Sequence, residues 1–510
     1  MQSYAEDCSV ILRVYTHKQS NYITIVNYFQ YLFQKKLDIF SFTLIYAHND
    51  VKNAFFVLQI IKSLLQICLV IILKKCYTVI YSGINMHFCI FNIIKIQHYI
   101  HESDIVMKYF VLVFDGMADR KNDDLGKKTP MEVAKKPTLD ALSKKSTVGT
   151  VLNVPEGLKP ESDTANLAIL SYDPLIYSKG RSPLEAVSLG IELAAEDTAI
   201  RMNVVTVSDD DSIPYEEKIM LDHSADEISS EEARELVLAL GAAMGDDVKH
   251  FYPGVSYRHC LIWKNADEKF KFTPPHDIIG KKIGEYLPKG EAGKEFFELM
   301  KSSYDVLAHH PINEARRARG QKPANSAWLW SPGKNPSLPS FKEKWGLDAT
   351  VISAVDLIKG IGICAGTKVP DIEGATGNVH TNYKGKADAA IKAFSDGDDF
   401  VFVHVEAPDE CGHRGEVENK VLSIEYIDDR ILRPVYEYLR STGEDFKILC
   451  LPDHPTPLAI RTHSREPVPF MLYSSKEEHD GVESLTEQSA EDKEFYIPDG
   501  TRLLDMMIEK

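Results

Sequence analysis

The chain has 510 residues, of which 44% are hydrophobic, enough for a sizeable buried core and more than one ordinary domain needs. Its net charge of −17 argues against a surface that follows a nucleic-acid backbone, because nucleic-acid binders concentrate Lys and Arg on one face. The eight cysteines include no C-x-x-C pair, which excludes a zinc ribbon and a secreted disulfide framework. These features predict an acidic cytoplasmic enzyme with reduced thiols and at least two domains.

Residues 1–106 differ in composition from the rest of the chain. They are rich in Ile, Phe, Tyr, Lys and Asn, contain no proline and have little amphipathic periodicity. The run AFFVLQIIKSLLQICLVIILKKC is long enough to cross a bilayer, but polar residues such as Lys62 weaken it, and no signal-peptide layout is visible. Translated AT-rich non-coding DNA has the same composition. We therefore interpret residues 1–106 as an atypical leader outside the functional protein, with a membrane anchor as the alternative.

Regular structure is predicted from Met107 onward. KYFVLVFDG (108–116) is a continuously apolar run, typical of a strand buried on both faces of a parallel sheet. Similar runs and two helical segments follow along the chain: ATVISAVD (349–356), GKADAAIKAFSDG (385–397), DFVFVHVEAPD (399–409), NKVLSIEYIDDRILRPVYEYLRST (419–442) and FKILCLPDH (446–454). Alternating strands and helices predict a doubly wound α/β sheet. Ligands bind beyond the carboxyl ends of such strands, so Asp115, Asp409 and Asp453 are predicted at the functional edge.

The alternation is interrupted between residues 177 and 350. Stretches such as AIRMNVVTVS and KHFYPGVSYRHCLIW, with several charged helices, predict a mixed α+β segment there. Because the strand and helix pattern resumes at ATVISAVD, we interpret 177–350 as a domain inserted into a first domain formed by 107–176 and 351–510. The cleft between the two domains is then the natural active site.

Aspartate and histidine residues recur at the predicted strand ends. Asp409 and His413 are four residues apart, so on a helix they share one face. Asp453 and His454 are adjacent, and His463 follows them. Each residue alone fits a solvated acid, a satisfied histidine or a turn. Together they form the ligand mixture expected for Mn²⁺, Mg²⁺ or Zn²⁺.

Ser162 has two interpretations. It lies in VPEGLKPESDTANLAIL (154–170), after a loop rich in Pro and Gly and before an amphipathic run, where a serine commonly caps the helix. A serine at a helix N-terminus is also a candidate nucleophile, because the helix dipole and a nearby cation both favour negative charge. With Asp115 as a metal ligand on an adjacent strand end, Ser162 could bind the same ion and attack phosphorus.

Six stretches carry a resemblance to a known family. They are FDG, PESDTANLAILSYDP, KGRSPLEAVSLGI, DECGHRGE, LPDHPTP and THSREPVPF, in that order. From about residue 107 to residue 510 the chain resembles the archaeal-type 2,3-bisphosphoglycerate-independent phosphoglycerate mutases of the alkaline phosphatase superfamily. The resemblance implies an alkaline-phosphatase-like doubly wound sheet with an inserted α+β substrate domain and two divalent ions, Mn²⁺ or Mg²⁺.

The family pattern implies a role for each motif residue. One ion would be bound by Asp115, Ser162, Asp453 and His454. The other ion would be bound by Asp409, His413 and His463. Ser162 would become a transient phosphoserine during the interconversion of 3-phosphoglycerate and 2-phosphoglycerate, a step of glycolysis and gluconeogenesis.

The inserted domain is then expected to bind the carboxylate and phosphate of a small-molecule substrate. The stretch HHPINEARRARGQKPANSAWLWSPG contains arginines whose guanidinium groups suit phosphate, although they would equally suit a solvated basic face. Two nearby tryptophans favour a structured site. The candidate substrate-binding residues are Arg258, His276, Asn313, Arg316, Arg319 and Lys359.

Two alternatives remain open at this stage. A related phosphotransferase, such as a homoserine kinase-like enzyme, would share the phosphoserine chemistry. A non-catalytic, membrane-tethered metal-binding protein would need the leader as a true anchor. We expect neither nucleic acid nor a membrane as a partner of residues 107–510, and the sequence does not indicate an oligomeric state.

Overall fold

Two β-sheets organise the part of the chain that this computed structural model describes, residues 107–508. The leader interpreted as an extension or an anchor, residues 1–106, lies outside the described residues. The strands, in chain order, are β1 (Lys108–Phe114), β2 (Thr147–Val151), β3 (Asp197–Val207), β4 (Met220–Asp222), β5 (Lys249–Val255), β6 (Arg258–Lys264), β7 (Ser326–Lys334), β8 (Ala349–Ile352), β9 (Phe400–Val405), β10 (Phe446–Leu451), β11 (Val468–Ser474) and β12 (Tyr496–Ile497).

The first sheet has seven strands in the order β12-β2-β11-β10-β1-β9-β8. Its centre is parallel, since β1 pairs in parallel with both β10 and β9, and β9 pairs in parallel with β8. Strand β11 runs antiparallel to β10 and to β2. The predicted α/β class is confirmed, with an antiparallel strand that the alternating pattern did not indicate.

Strand β1 is buried along its whole length, as its apolar run predicts. Phe110 and Leu112 pack into the core on one face of the sheet, and Val111 and Val113 pack into the core on the other face. A strand covered on both sides has no polar face, which explains why its sequence shows no alternation.

The helices are, in chain order, α1 (Pro130–Val133), α2 (Pro137–Ser143), α3 (Ser162–Ile169), α4 (Pro174–Tyr177), α5 (Arg181–Ser188), α6 (Ser230–Met244), α7 (Gly290–Leu307), α8 (Pro311–Ala318), α9 (Phe341–Trp345), α10 (Asp356–Cys364), α11 (Tyr383–Ser395), α12 (Ala407–Arg414), α13 (Val417–Ile427), α14 (Arg433–Thr442), α15 (Glu487–Glu491) and α16 (Arg502–Ile508). A π-helical turn, Asp428–Leu432, joins α13 to α14. The two predicted helical segments are therefore helical, and the segment containing Asp409 and His413 is α12.

The second sheet has five strands, β4-β3-β6-β5 with β7 also paired to β3, and all five come from the chain between β2 and β8. Its hairpin β5-β6 turns at Ser256, whose φ of 52° is left-handed. This sheet has a separate core with α6 and α7, which includes Trp328 and Leu236. The boundaries of an inserted domain at 177 and 350 stay a prediction.

The helices of residues 107–508 differ from membrane-spanning helices. None of them combines the length and the apolar character that a bilayer span requires.

Candidate metal centre

Three parallel strands deliver acidic residues to the same edge of the first sheet. Asp115 directly follows β1 and Asp453 lies two residues beyond β10, while Asp409 lies in α12 beyond β9. The strand ends are level with one another, because Val113 is paired with Leu451. Carboxyl ends of parallel strands meet at one edge, which is where such sheets bind ligands.

Asp409, His413 and His463 form the first cluster. Asp409 and His413 are one turn apart on α12, and His413 Nε2 lies 3.3 Å from Asp409 Oδ2. His463 comes from the loop before β11, and its Nε2 lies 3.3 Å from Asp409 Oδ1. One potential ligand atom from each residue lies within 4.8 Å of the others.

The two histidines of this cluster turn the same ring nitrogen inward. His413 Nδ1–H donates to the Arg461 carbonyl at 3.0 Å, and His463 Nδ1–H donates to the Pro160 carbonyl at 2.6 Å. The two Nε2 atoms are thereby left facing each other at 2.9 Å. Two nitrogen lone pairs and a carboxylate that converge on one point repel one another unless a positive charge lies between them. The donor set therefore fits a divalent cation.

Asp115, Asp453 and His454 form the second cluster, and all three are buried. His454 Nε2 lies 3.7 Å from Asp115 Oδ1 and 3.5 Å from Asp453 Oδ2. The other Asp453 oxygen accepts from the backbone N–H of Gly116 at 3.1 Å and of His454 at 2.8 Å. These bonds orient Asp453 and leave its second oxygen directed into the cluster.

Ser162 lies against the second cluster. It is the first residue of α3, and its Oγ is 3.2 Å from His454 Nε2. The residue before it, Glu161, makes no side-chain capping bond. The hydroxyl thus faces the cluster rather than the turn of its own helix, which favours the nucleophile over the cap among the two interpretations of Ser162.

The electrostatics of the two clusters favour bound cations. Burial raises the pKa of Asp115 well above its usual value, and the nearby carboxylates of Asp453 and Asp409 raise it further. Asp115 Oδ1 is buried and has no hydrogen-bond partner among the described residues. Hydrogen bonding to Asp409, more than any other contact, raises the pKa of His413 to about 9, so a proton occupies this imidazole when no cation is bound, and a cation would displace it. Buried carboxylates that face one another in this way are stabilised by a bound divalent ion.

Further charged residues behind Asp115 were not predicted from the sequence. Lys386 of α11 is buried, its Nζ donates to the His404 carbonyl at 2.9 Å, and burial lowers its pKa to about 8. Burial, with the nearby Asp409, raises the pKa of Glu406 to about 7. His404 Nε2 lies 3.1 Å from Asp115 Oδ2. Their sequence signals were weak, because an amphipathic helix and a buried strand do not reveal which side chains face an active site.

Arg181 is another residue that the sequence prediction omitted. It begins α5, and its Nη1 lies 3.2 Å from the Glu161 carboxylate. Its Nε is buried and has no partner among the described residues. Its positive charge acts against the burial that raises the pKa of Asp163 and of Glu406. Because Arg181 lies in KGRSPLEAVSLGI, the motif itself held the signal.

Two predicted substrate-binding residues, Asn313 and Arg316, are part of the packing beside the second sheet. Asn313 is fully buried and its Nδ2 donates to two backbone carbonyls. Arg316 is 1% exposed, donates to two backbone carbonyls and pairs with Glu232. Both side chains are engaged in these packing contacts, which disfavours a substrate role, and that role stays a prediction for both. This part of the stretch forms helix α8, and its sequence did not reveal which face is buried.

The other four predicted substrate-binding residues have different partners. Arg319 pairs with Glu232, and Lys359 of α10 donates to Asp371 at 2.7 Å. The His276 ring lies 5.6 Å from the Trp330 ring, beside the second sheet. Their substrate roles stay predictions.

Arg258 lines a cavity where the elements of the two sheets meet. Ser182 of α5, Arg201 of β3 and Asp356 of α10 line the same cavity. Arg201 Nε is engaged by Glu185 at 2.6 Å, whereas no such ion pair is found for Arg258 among the described residues. The substrate-binding role of Arg258 therefore stays a prediction, and its guanidinium lines this cavity.

Comparisons of the sequence with known proteins agree on one family. A family described as 2,3-bisphosphoglycerate-independent phosphoglycerate mutase matches residues 143–313. A probable 2,3-bisphosphoglycerate-independent phosphoglycerate mutase of Geobacter sulfurreducens is 47% identical over 405 residues, which cover 79% of this chain and 100% of that protein. A mutase of the same description from Methanosarcina barkeri is 46% identical, with the same coverage of both chains.

Solved structures agree with the sequence comparisons. A Pyrococcus horikoshii protein has a TM-score of 0.66 at 27% identity, covering 79% of this chain and 97% of its own. A cofactor-independent phosphoglycerate mutase from Thermoplasma acidophilum has a TM-score of 0.56 at 25% identity, covering 79% of this chain and 99% of its own. In each of these comparisons the match covers 79% of this chain.

Proposed function

Because the chain belongs to the family of 2,3-bisphosphoglycerate-independent phosphoglycerate mutases, we propose that it interconverts 3-phosphoglycerate and 2-phosphoglycerate without a bisphosphoglycerate cofactor. The observation that carries the proposal is the position of Ser162, whose Oγ lies 3.2 Å from His454 Nε2 in a buried Asp and His cluster. A serine in this position is suited to accept a phosphoryl group. An ordinary helix cap would instead bond the N–H groups of its own first turn.

Two divalent cations, Mn²⁺ or Mg²⁺, fit the chemistry of the donor atoms. Asp409, His413 and His463 would hold one, and Asp115, Ser162, Asp453 and His454 would hold the other. When bound, such cations favour the deprotonated hydroxyl and neutralise charge on the phosphoryl oxygens. A carboxylate and imidazole donor set without thiolates suits these ions.

The residues of the chain itself supply the nucleophile and its setting. Ser162 Oγ forms a bond to phosphorus while the bond from phosphorus to the glycerate oxygen breaks, and the serine proton ends on the departing glycerate oxygen. The reverse transfer to the other hydroxyl of the same glycerate completes the reaction. Because Ser162 begins α3, the free N–H groups of the first helical turn favour the negative phosphoryl oxygens.

Two arginine side chains are proposed to hold the substrate. Arg181 lies beside Glu161 and has a buried, unpartnered Nε among the described contacts, and Arg258 lines the cavity between the two sheets. Guanidinium groups bind carboxylate and phosphate through paired N–H donors. We propose that residues 177–350 act as the substrate domain, and that closure over the glycerate excludes water, since hydrolysis of a phosphoserine would make the enzyme a phosphatase.

The cell compartment is proposed on the state of the thiols. Cys260, Cys364, Cys411 and Cys450 are all free cysteines. Free thiols are typical of the reducing cytoplasm, where we propose that the reaction takes place.

A coupled assay tests the function directly. The full-length chain, loaded with Mn²⁺ and supplied with 3-phosphoglycerate but no bisphosphoglycerate, is expected to produce 2-phosphoglycerate, measured through enolase. Ser162→Ala is expected to abolish turnover and the phosphoserine peptide seen by mass spectrometry after acid quenching. The matched control is Ser178→Ala, since that hydroxyl contacts Asp163 at 3.4 Å rather than the cluster.

The outcomes separate the proposal from its rivals. Activity retained by Ser162→Ala would mean that the nucleophile lies elsewhere. Phosphorylation of homoserine without any 2-phosphoglycerate would instead favour the related phosphotransferase. Absence of both activities in an Mn²⁺-loaded wild-type chain would favour a non-catalytic metal-binding protein.

A further inference from the structure

Thr456 lies between the two clusters and is fully buried. Its Oγ1 donates a short hydrogen bond to Asp409 Oδ1 in the first cluster. The same Oγ1 lies 3.3 Å from His454 Nδ1 in the second cluster. A single hydroxyl group is thus in contact with a residue of each cluster.

The donors and acceptors of this hydroxyl can be assigned. A carboxylate only accepts, so the one proton of Thr456 is directed to Asp409. The oxygen of Thr456 then has lone pairs for His454, and His454 Nδ1 must carry the hydrogen. His454 Nε2 is consequently a lone pair, and it faces Ser162 Oγ at 3.2 Å. The hydroxyl therefore selects the tautomer that a metal-binding histidine needs.

The backbone and the surroundings of Thr456 allow it little movement. Its N–H donates to the Ala118 carbonyl at 3.2 Å, and its carbonyl accepts from buried Lys420 Nζ at 2.8 Å. Two glycines leave the room that its side chain occupies. A Cβ added at Gly116 would lie 2.6 Å from Thr456 Oγ1, and one at Gly412 would lie 2.8 Å from Thr456 Cγ2. These glycines directly adjoin Asp115 and His413, so Thr456 packs against the segments that carry both clusters.

We propose that Thr456 is a positioning residue that couples the two clusters, because one hydroxyl orients Asp409 in the first and sets the tautomer of His454 in the second. The inference rests on the proposed function, in that both clusters are taken to bind cations. It goes beyond that function by naming a side chain that binds neither ion and yet determines the affinity of both. Outer-shell partners of this kind commonly change metal affinity about 10-fold to 100-fold when removed.

The test measures Mn²⁺ affinity rather than activity. Thr456→Val keeps the shape between the glycines and removes the hydroxyl, and Thr456→Ser keeps the hydroxyl. Full-length proteins are stripped of metal, and the affinity of each site is measured by competition with a chromophoric chelator. Thr206→Val is the matched control, because Thr206 is a buried threonine of the second sheet whose Oγ1 donates to the Pro323 carbonyl at 2.8 Å.

Thr456→Val is expected to weaken both Mn²⁺ sites about 10-fold to 100-fold. Thr456→Ser is expected to stay within about 3-fold of the wild type, since it retains both polar contacts. Thr206→Val is expected to leave both affinities unchanged. If Thr456→Val does not fold, Thr456→Ala and Thr456→Ser give the same comparison, because both lack the methyl group and they differ only in the hydroxyl.

Three results would overturn the inference. In the first, Thr456→Val leaves both Mn²⁺ affinities unchanged. In the second, Thr456→Val weakens Mn²⁺ binding at one site alone. In the third, Thr456→Ser binds Mn²⁺ as weakly as Thr456→Val, which would assign the effect to packing. A wild-type chain that binds no pair of Mn²⁺ ions would instead overturn the proposed function itself. A wild type with two ions and mutase activity beside an unaffected Thr456→Val variant would overturn only the role of Thr456.

Discussion

The Asn166 side-chain amide donates to Asp453 Oδ2 at 2.9 Å, within the second cluster. The same Nδ2 donates to the Ser162 carbonyl at 2.8 Å. Asn166 therefore connects the helix that begins with the candidate nucleophile to a candidate metal ligand.

Asn166→Asp is expected to lower kcat/KM about 10-fold to 100-fold, because it replaces the donor to Asp453 with a second buried carboxylate. The coupled enolase assay with Mn²⁺ present measures the change. Asn419→Asp is the matched control, since Asn419 Nδ2 donates to Glu416 at 2.8 Å rather than to a residue of the clusters. Equal kcat/KM in Asn166→Asp and the wild type would contradict the connection.

His413→Ala is expected to remove one of two bound ions. The substitution deletes one of the three donors of the first cluster and leaves Asp115, Asp453 and His454 intact. The metal content of the purified full-length chain, measured by elemental analysis, is expected to fall from about two ions to about one per chain. His479→Ala, at a half-exposed histidine 3.8 Å from Glu477, is expected to keep both. An unchanged metal content in His413→Ala would refute the assignment of the first cluster.

Arg316→Met is expected to lower the free energy of unfolding by about 1–3 kcal/mol, because it leaves buried backbone carbonyls without donors and removes one of the two arginine partners of the partly exposed Glu232. Its KM for 3-phosphoglycerate is expected to stay unchanged below the unfolding transition. Arg181→Met is expected to do the converse, raising KM with little effect on stability. Urea unfolding and the coupled assay measure both variants, and a raised KM in Arg316→Met would support the substrate role that its burial disfavours.

His259 is expected to make stability depend on pH. Burial lowers its pKa from 6.5 to about 3, and its Nδ1 accepts from the Gly254 N–H at 3.0 Å. As the pH falls below 6.5, the unfolded chain binds a proton that the folded chain does not, so the free energy of unfolding decreases progressively towards pH 3.

His259→Asn keeps an acceptor for the Gly254 N–H but cannot take up a proton. Urea unfolding of both metal-free proteins between pH 7 and pH 5 measures the difference. The wild type is expected to lose more stability than His259→Asn over that interval. Parallel losses in the two proteins would show that His259 stays protonated, or stays exposed, in the folded state.

Local patterns in the sequence account for much of the fold. The continuous apolar runs predicted β1, β8, β9 and β10, because a strand covered on both faces needs no polar alternation. Strand β2 (TVGTV) and strand β11 were not predicted. Strand β2 is short and contains Gly149, and it becomes a strand by pairing with β11, more than 300 residues away in the chain.

Some features of the candidate site could likewise be predicted from the sequence, and others could not. Asp409 and His413 could be placed on one face of a helix from their spacing of four residues, since an α-helix has 3.6 residues per turn. The acidic residues at strand ends could be placed at one edge of the sheet by the rule for parallel strands. The burial of Arg316 could not be derived, because a basic helix has the same sequence pattern whether its arginines face solvent or pack against the protein.

By itself, the sequence determined the strand and helix alternation, the edge of the sheet that carries the acids and, through its motifs, the family. Only the tertiary structure decided that Ser162 Oγ faces His454, that His463 joins Asp409, and that Thr456 contacts both clusters. The physical reason is that sequence patterns are local, whereas these contacts join segments that are distant in the chain. Periodicity reports which neighbours share a local surface, whereas the partners of a buried polar side chain come from segments that sheet order alone brings together.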